Sequence, residues 1–138
     1  MIKAVIDTNV IVSAYITKNP EAATSKVWEA VLQCKLTPIY NDEILYEYSE
    51  VLHREKFGIP ERLIKWALDK IFTNGVRGER ILSDEFFSDP KDVVFYELAM
   101  SKEEAYLVTG NIKHFPKKPI VVTPAEMLEI LQREETEK

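Results

Sequence analysis

The chain predicts a three-layer α/β sandwich with a mostly parallel central sheet of four or five strands, and three observations carry that expectation. Short apolar runs at 2–6, 36–40, 105–108 and 119–122 have the length of buried strands. Stretches with apolar residues at helical spacing alternate with them, which calls for parallel strands with helices on both faces. The runs end in small polar or acidic residues, Asp7-Thr8-Asn9, Asn41-Asp42 and Thr109-Gly110-Asn111. Sheets of this kind hold ligands at the carboxyl ends of their strands.

Taken in order, in Ile2 to Val12 a short apolar run reaches Asp7, Thr8 and Asn9 before an apolar pattern resumes at Val10, which reads as a buried strand that delivers Asp7 to a strand-to-helix turn. Asn19-Pro20 is a cap followed by a first-turn proline, and Ala22, Ala23, Val27, Trp28, Val31 and Leu32 then recur at helical spacing. Leu36 to Tyr40 is a second strand, and Asn41 or Asp42 caps the next helix. On that helix Ile44, Leu45, Tyr48, Val51 and Leu52 form an apolar stripe. Glu47 borders the stripe, whereas Glu43 and Glu50 point further toward solvent.

Phe57-Gly58-Ile59-Pro60 breaks the chain, and Leu63, Ile64, Ala67, Leu68 and Ile71 define a helix that Thr73-Asn74-Gly75 ends. Between 76 and 88 an edge strand is expected at Arg80 to Ser83, with Phe86-Phe87 packed under it. Asp89 caps the next helix, with Pro90 in its first turn and Asp92 two residues on. Ala105 to Val108 and Pro119 to Val122 are the last strands. Thr123-Pro124-Ala125-Glu126 is a capping box for a final helix over Ala125 to about Arg133.

The length suits one domain over 1–138, large enough to bury roughly 70% of its unfolded surface, with an acidic helix and tail from about 124 to 138. The single cysteine excludes an internal disulfide and a cysteine-rich zinc site. No apolar run approaches a membrane span and no leader precedes the first strand, so a cytoplasmic location is expected. The net charge of -5 argues against a protein whose main task is gripping nucleic-acid phosphates. Its distribution is uneven: residues 53–80 carry seven Lys or Arg against four acids, and 126–138 five glutamates against two bases.

Each acid taken singly has a bland explanation. Asp7 with Asn9 suits a turn, Asp89 with Asp92 a helix cap, and Glu47 a solvated helix face. Gathered in one cleft, Asp7, Glu47 and Asp92 would raise one another's pKa and need a cation to hold them. Oxygen ligands without His or Cys favour Mg²⁺ or Mn²⁺, which activate water and stabilise in-line phosphate displacement.

Five segments together resemble the PIN domain ribonucleases, most closely the branch of toxin components in toxin-antitoxin systems. They are VIDTNVIVSA (5–14), EILYEYSEVLHR (43–54), DPKDVVFYELAM (89–100), YLVTGNIKHF (106–115) and PIVVTPAEML (119–128). The resemblance implies a PIN-like fold, Mg²⁺- or Mn²⁺-dependent endoribonuclease activity, an RNA substrate, a cognate antitoxin and a homodimer. It makes Asp7, Glu47 and Asp92 the first three acids and metal ligands. Asn9, Thr109 and Asp89 support them. The fourth acidic position falls on Asn111, a departure that leaves one ion expected and a second weakened.

Around this acidic site Lys113, His114, Lys117 and Lys118 are the nearest bases for RNA, and the Arg62, Lys65, Lys70 helix face is a second candidate. Tyr46, Tyr48 and Trp66 are candidate stacking residues, with core or dimer packing as the ordinary alternative. The rival readings are a catalytically weakened PIN-like RNA- or protein-binding module and an aspartate-nucleophile phosphatase. The phosphatase wants a second Asp where Asn9 stands. A response-regulator receiver wants acids before its phosphoacceptor, and none precedes Asp7.

Overall fold

The computed structural model describes residues 1–137. Its elements run β1 (Lys3–Ile6), α1 (Thr8–Ile16), α2 (Ala23–Leu32), β2 (Thr37–Tyr40), α3 (Asp42–Leu52), α4 (Glu61–Asn74), β3 (Val76–Arg77), α5 (Val93–Ala99), β4 (Ala105–Val108), β5 (Val121–Val122) and α6 (Pro124–Thr136). Short 3-10 turns lie at Glu55–Phe57, Pro90–Asp92 and Ile112–His114. The sheet is wholly parallel in the order β3-β2-β1-β4-β5. This is the α/β sandwich expected, with five strands among the described residues.

Strand order reverses between β1 and β4, so their carboxyl ends diverge into a crevice. Right-handed crossovers put the helices linking β1, β2 and β3 on one face and α5 on the other. In keeping with this, α5 packs on β1, β2 and β4, while α4 packs on β2 and α6 on α2. The core forms where apolar faces meet: Ala4, Val5, Ile39, Leu107 and Val108 from the strands, Val27, Ile44, Ile64, Phe95 and Met127 from the helices. Tyr48 is core rather than a stacking platform, its hydroxyl donating to the carbonyl of Ile6.

Local signals place most boundaries. Asn41 caps α3 by accepting from the Ile44 amide at 2.9 Å, and the capping box of Thr123 and Glu126 starts α6. Helix α4 stops at Gly75, where a Cβ would lie 2.5 Å from the carbonyl oxygens of Ile71 and Pro38. Two starts differ from expectation. Asn19 caps a separate turn through the Glu21 amide, and α2 begins only at Ala23. Asp89 accepts from the Lys91 amide and opens a 3-10 turn, after which α5 begins at Val93. The fourth apolar run pairs only over Val121–Val122, because the Val121 amide is turned back to the carbonyl of Lys118.

The largest correction lies between 76 and 88. The edge strand forms at Val76–Arg77 against Ile39–Tyr40, and residues 80–83 make no strand. They are held by Glu97, buried in α5: Arg80 donates to its Oε1 at 2.8 Å through Nε, and the Ser83 amide donates to Oε2 at 2.6 Å. A buried carboxylate thus takes the polar groups that a strand would have offered to a neighbour. Phe86 is exposed rather than packed beneath this stretch, whereas Phe87 meets Tyr96 and Phe115 edge-on. Arg80 also reaches Glu43 on α3 at 2.8 Å. Arg80→Ala is therefore expected to cost about 3 kcal/mol, because it removes the only cation paired with the buried Glu97 carboxylate among the described residues. Chemical denaturation of the variant measures the loss, and an unchanged midpoint would refute this account.

Candidate active site

Of the four polar side chains buried among the described residues, three gather where β1 and β4 diverge: Asp7, Thr8 and Thr109. The β1 strand ends at Ile6 because the Asp7 amide bonds the Val108 carbonyl at 2.9 Å and α1 starts at the next residue. Asp7 stands at the helix N-cap, yet its carboxylate makes no capping hydrogen bond. It accepts instead from the Thr109 hydroxyl at 2.7 Å and from Asn9 Nδ2 at 3.2 Å, both on Oδ2. Oδ1 is left for another partner.

The polar neighbours of Asp7 lock two loops together. Asn9 Oδ1 accepts from the Gly110 amide at 3.4 Å, and Thr109 Oγ1 accepts from the Asn111 amide at 3.0 Å. The loop after β4 is thereby tied to the loop after β1. Thr8 donates to Glu47 Oε2 at 2.9 Å, which orients the second acid from the middle of α3. Thr8 was not singled out as a supporting residue from sequence, although it sits within the same Asp-Thr-Asn turn.

Asp7, Glu47, Asp89 and Asp92 line one cleft of about 520 Å³, with Thr8, Asn9 and Lys91 among its polar walls and Val12, Ile16, Val51, Phe57 and Phe95 among its apolar ones. Burial pushes the Asp7 carboxyl above its usual range. The Thr109 hydroxyl and the nearby Thr8 and Asn9 amides oppose the rise, and the charge of Glu47 adds to it. Asp92 is pushed up to about 6, first by burial and then by the charges of Asp7, Asp89 and Glu47, with His114 opposing. Its Oδ2 is buried and accepts no hydrogen bond, since His114 Nδ1 stands off at 3.6 Å. An orphaned carboxylate oxygen facing other carboxylates is costly, and a cation relieves that cost.

The donor set suits a hard cation held loosely. Among the described residues no three His, Cys, Asp or Glu side chains close into a ready-made cage. Mg²⁺ keeps several waters and binds through one or two carboxylates, for which Asp7 Oδ1 and Asp92 Oδ2 are available.

The remaining sequence-derived candidates divide. Asp89 lines the cleft but spends one oxygen on the Lys91 amide. Asn111 is exposed, does not line the cleft, and contributes its backbone amide rather than its side chain. Lys113, His114, Lys117 and Lys118 are exposed beyond it, and Lys118 lies 3.8 Å from Glu85. Lys113, Lys117 and Lys118 border a separate small groove with Ile112, Phe115 and Val121. Arg54, Lys91 and Phe57 line the cleft and were not singled out from sequence; their only signal was proximity in the chain to Glu47 and Asp92.

Among the described residues no helix is long and apolar enough to cross a membrane. Comparison with curated proteins and with solved structures gives no match. A family model described as PIN domain matches residues 3–113, a span that includes Asp7, Glu47, Asp92 and Asn111. PIN domains are generally nucleases that act on RNA and typically use divalent metal ions. The match covers most of the chain and agrees with the wholly parallel sheet and its crevice between β1 and β4: the chain belongs to the PIN domain family.

Proposed function

We propose that this protein is a Mg²⁺- or Mn²⁺-dependent endoribonuclease and the toxin of a type II toxin-antitoxin pair. The observation that carries the reading is the convergence of Asp7, Glu47 and Asp92 in one cleft, with Asp92 Oδ2 buried and unpaired. Asp7 and Asp92 would hold the ion, which when bound polarises water and offsets charge on the scissile phosphate. Glu47 has Oε2 fixed by Thr8, so Oε1 would be open to help hold the ion or to take a proton from an attacking water. Thr109 and Asn9 keep Asp7 oriented. Asn111 supports Thr109 through its backbone and brings no charge, which favours one ion over two.

Lys113, His114, Lys117 and Lys118 provide a basic margin for RNA on the side of Asp92. The exposed apolar side chains of Leu82 and Phe86 support a protein partner, an antitoxin or a second copy of the chain. A weakened binding module remains the rival, because Asn111 lies outside the cleft.

Cleavage of a mixed-sequence RNA is expected with Mn²⁺, lost in EDTA and restored by added Mn²⁺. Absence of both cleavage and Mn²⁺ binding would leave the binding module as the better reading. Growth arrest on expression should be relieved by Asp92→Asn if the toxin role holds, and arrest that persists in the mutant would count against it.

A further inference from the structure

Two cations line the acidic cleft without pairing with its carboxylates. Among the described residues neither the Arg54 guanidinium nor the Lys91 ammonium makes a side-chain hydrogen bond or an ion pair. Nearby cations behave differently: Arg77 bonds Asp42, and Arg80 bonds Glu43 and Glu97. A cation beside several acids ordinarily closes on one of them, so two that stand apart are free to take an anionic ligand.

Their backbones are pinned while their side chains are open. Arg54 leaves the end of α3, its amide bonded to the Val51 carbonyl, and caps the 3-10 turn Glu55–Phe57, which closes at Gly58 with φ +62°. Lys91 sits in the Pro90–Asp92 turn, its amide held by Asp89 at 2.9 Å. The two come from different walls. Lys91 also borders an adjoining, largely acidic hollow with Asp42, Glu43, Glu47, Glu50 and Arg80, whereas Arg54 borders the cleft beside Phe57 and Ile16.

We infer that Arg54 and Lys91 are substrate-positioning residues that grip the backbone phosphates on either side of the scissile one. This rests on the ribonuclease reading of the same cleft. The acids repel the substrate's phosphates, so register along the strand has to be set by cations that the acids do not neutralise. Arg54 holds the phosphate on the Phe57 side and Lys91 the one beside the Pro90–Asp92 turn. Phe57 is the apolar wall against which the intervening nucleotide lies, and the Lys56 ammonium stands 5.1 Å from its ring centre.

The test compares a pentaribonucleotide with a diribonucleotide, which has no flanking phosphates, using the full chain with Mn²⁺. Arg54→Gln and Lys91→Gln should each lower kcat/KM on the longer substrate about tenfold, chiefly through KM, and lower the diribonucleotide rate far less. The slope of log affinity against log salt for the longer substrate should become shallower by about 0.7 for each cation removed, and Arg54→Lys should restore it. Equal losses on both substrates, or an unchanged salt slope, would overturn the assignment. If the wild type cleaves neither substrate, the ribonuclease reading falls, and anisotropy of the labelled pentaribonucleotide still decides whether Arg54 and Lys91 hold phosphates.

Discussion

Asp92→Asn is expected to lower Mn²⁺-dependent RNA cleavage about a thousandfold, the equivalent of roughly 4 kcal/mol of transition-state stabilisation. The same change should raise the thermal midpoint of the metal-free protein. Both effects have one cause. The carboxylate is held close to Asp7, Asp89 and Glu47, and its buried Oδ2 has no hydrogen-bond donor. Without a cation that arrangement is a liability, and an amide removes the charge. With a cation it is a ligand, and an amide weakens it. Initial rates and calorimetry on the two proteins test the pair of outcomes. A variant that cleaves normally and melts earlier would show that Asp92 serves the fold rather than the reaction.

Acidity should act on the same group in opposite senses with and without metal. Burial and the neighbouring carboxylates push Asp92 up to about 6, and burial raises Asp7 as well. Between the ordinary carboxylate range near 4 and about 6, the folded protein therefore binds more protons than the unfolded chain. The favourable contribution of the protonated form is present in full below the ordinary range and is lost as pH rises through 6. Metal-free wild type should lose stability relative to Asp92→Asn between pH 4.5 and 7.

Metal binding must displace the same proton, so Mn²⁺ affinity should fall about tenfold per pH unit below 6. Calorimetric titration at pH 5, 6 and 7 reads the second effect, and paired melting curves the first. A Mn²⁺ affinity flat across that range would argue that Asp92 does not hold the ion. Cleavage should follow the same limb, rising from pH 5 to 7 and levelling above it.

Much of the frame is legible in the amino-acid sequence. Apolar runs, caps and breakers place β1, β2, β4 and helices α3, α4 and α6, because each of those signals acts within a few residues. The Asn41 cap and the Thr123–Glu126 box are of this kind. Where the sequence misleads most, a distant partner is responsible. Residues 80–83 have the composition of a strand, yet Glu97 in α5 claims the Arg80 side chain and the Ser83 amide. Tyr48, in the apolar stripe of α3 and also a candidate stacking residue, is buried by the approach of β1.

By itself the sequence determined that an acid ends the first strand, that others sit on a helix margin and at a helix start, and that an asparagine stands at the fourth position. Tertiary structure alone decided that Asp7, Glu47 and Asp92 share one cleft and that Asn111 does not line it. It also decided that Thr8 orients Glu47, and that Arg54 and Lys91 are left unpaired beside the acids. The reason is one of range. Caps and strands are set by bonds a few residues long, whereas the field on each carboxylate is a sum over charges brought close only by the crossing of β1 and β4 with α3 and α5.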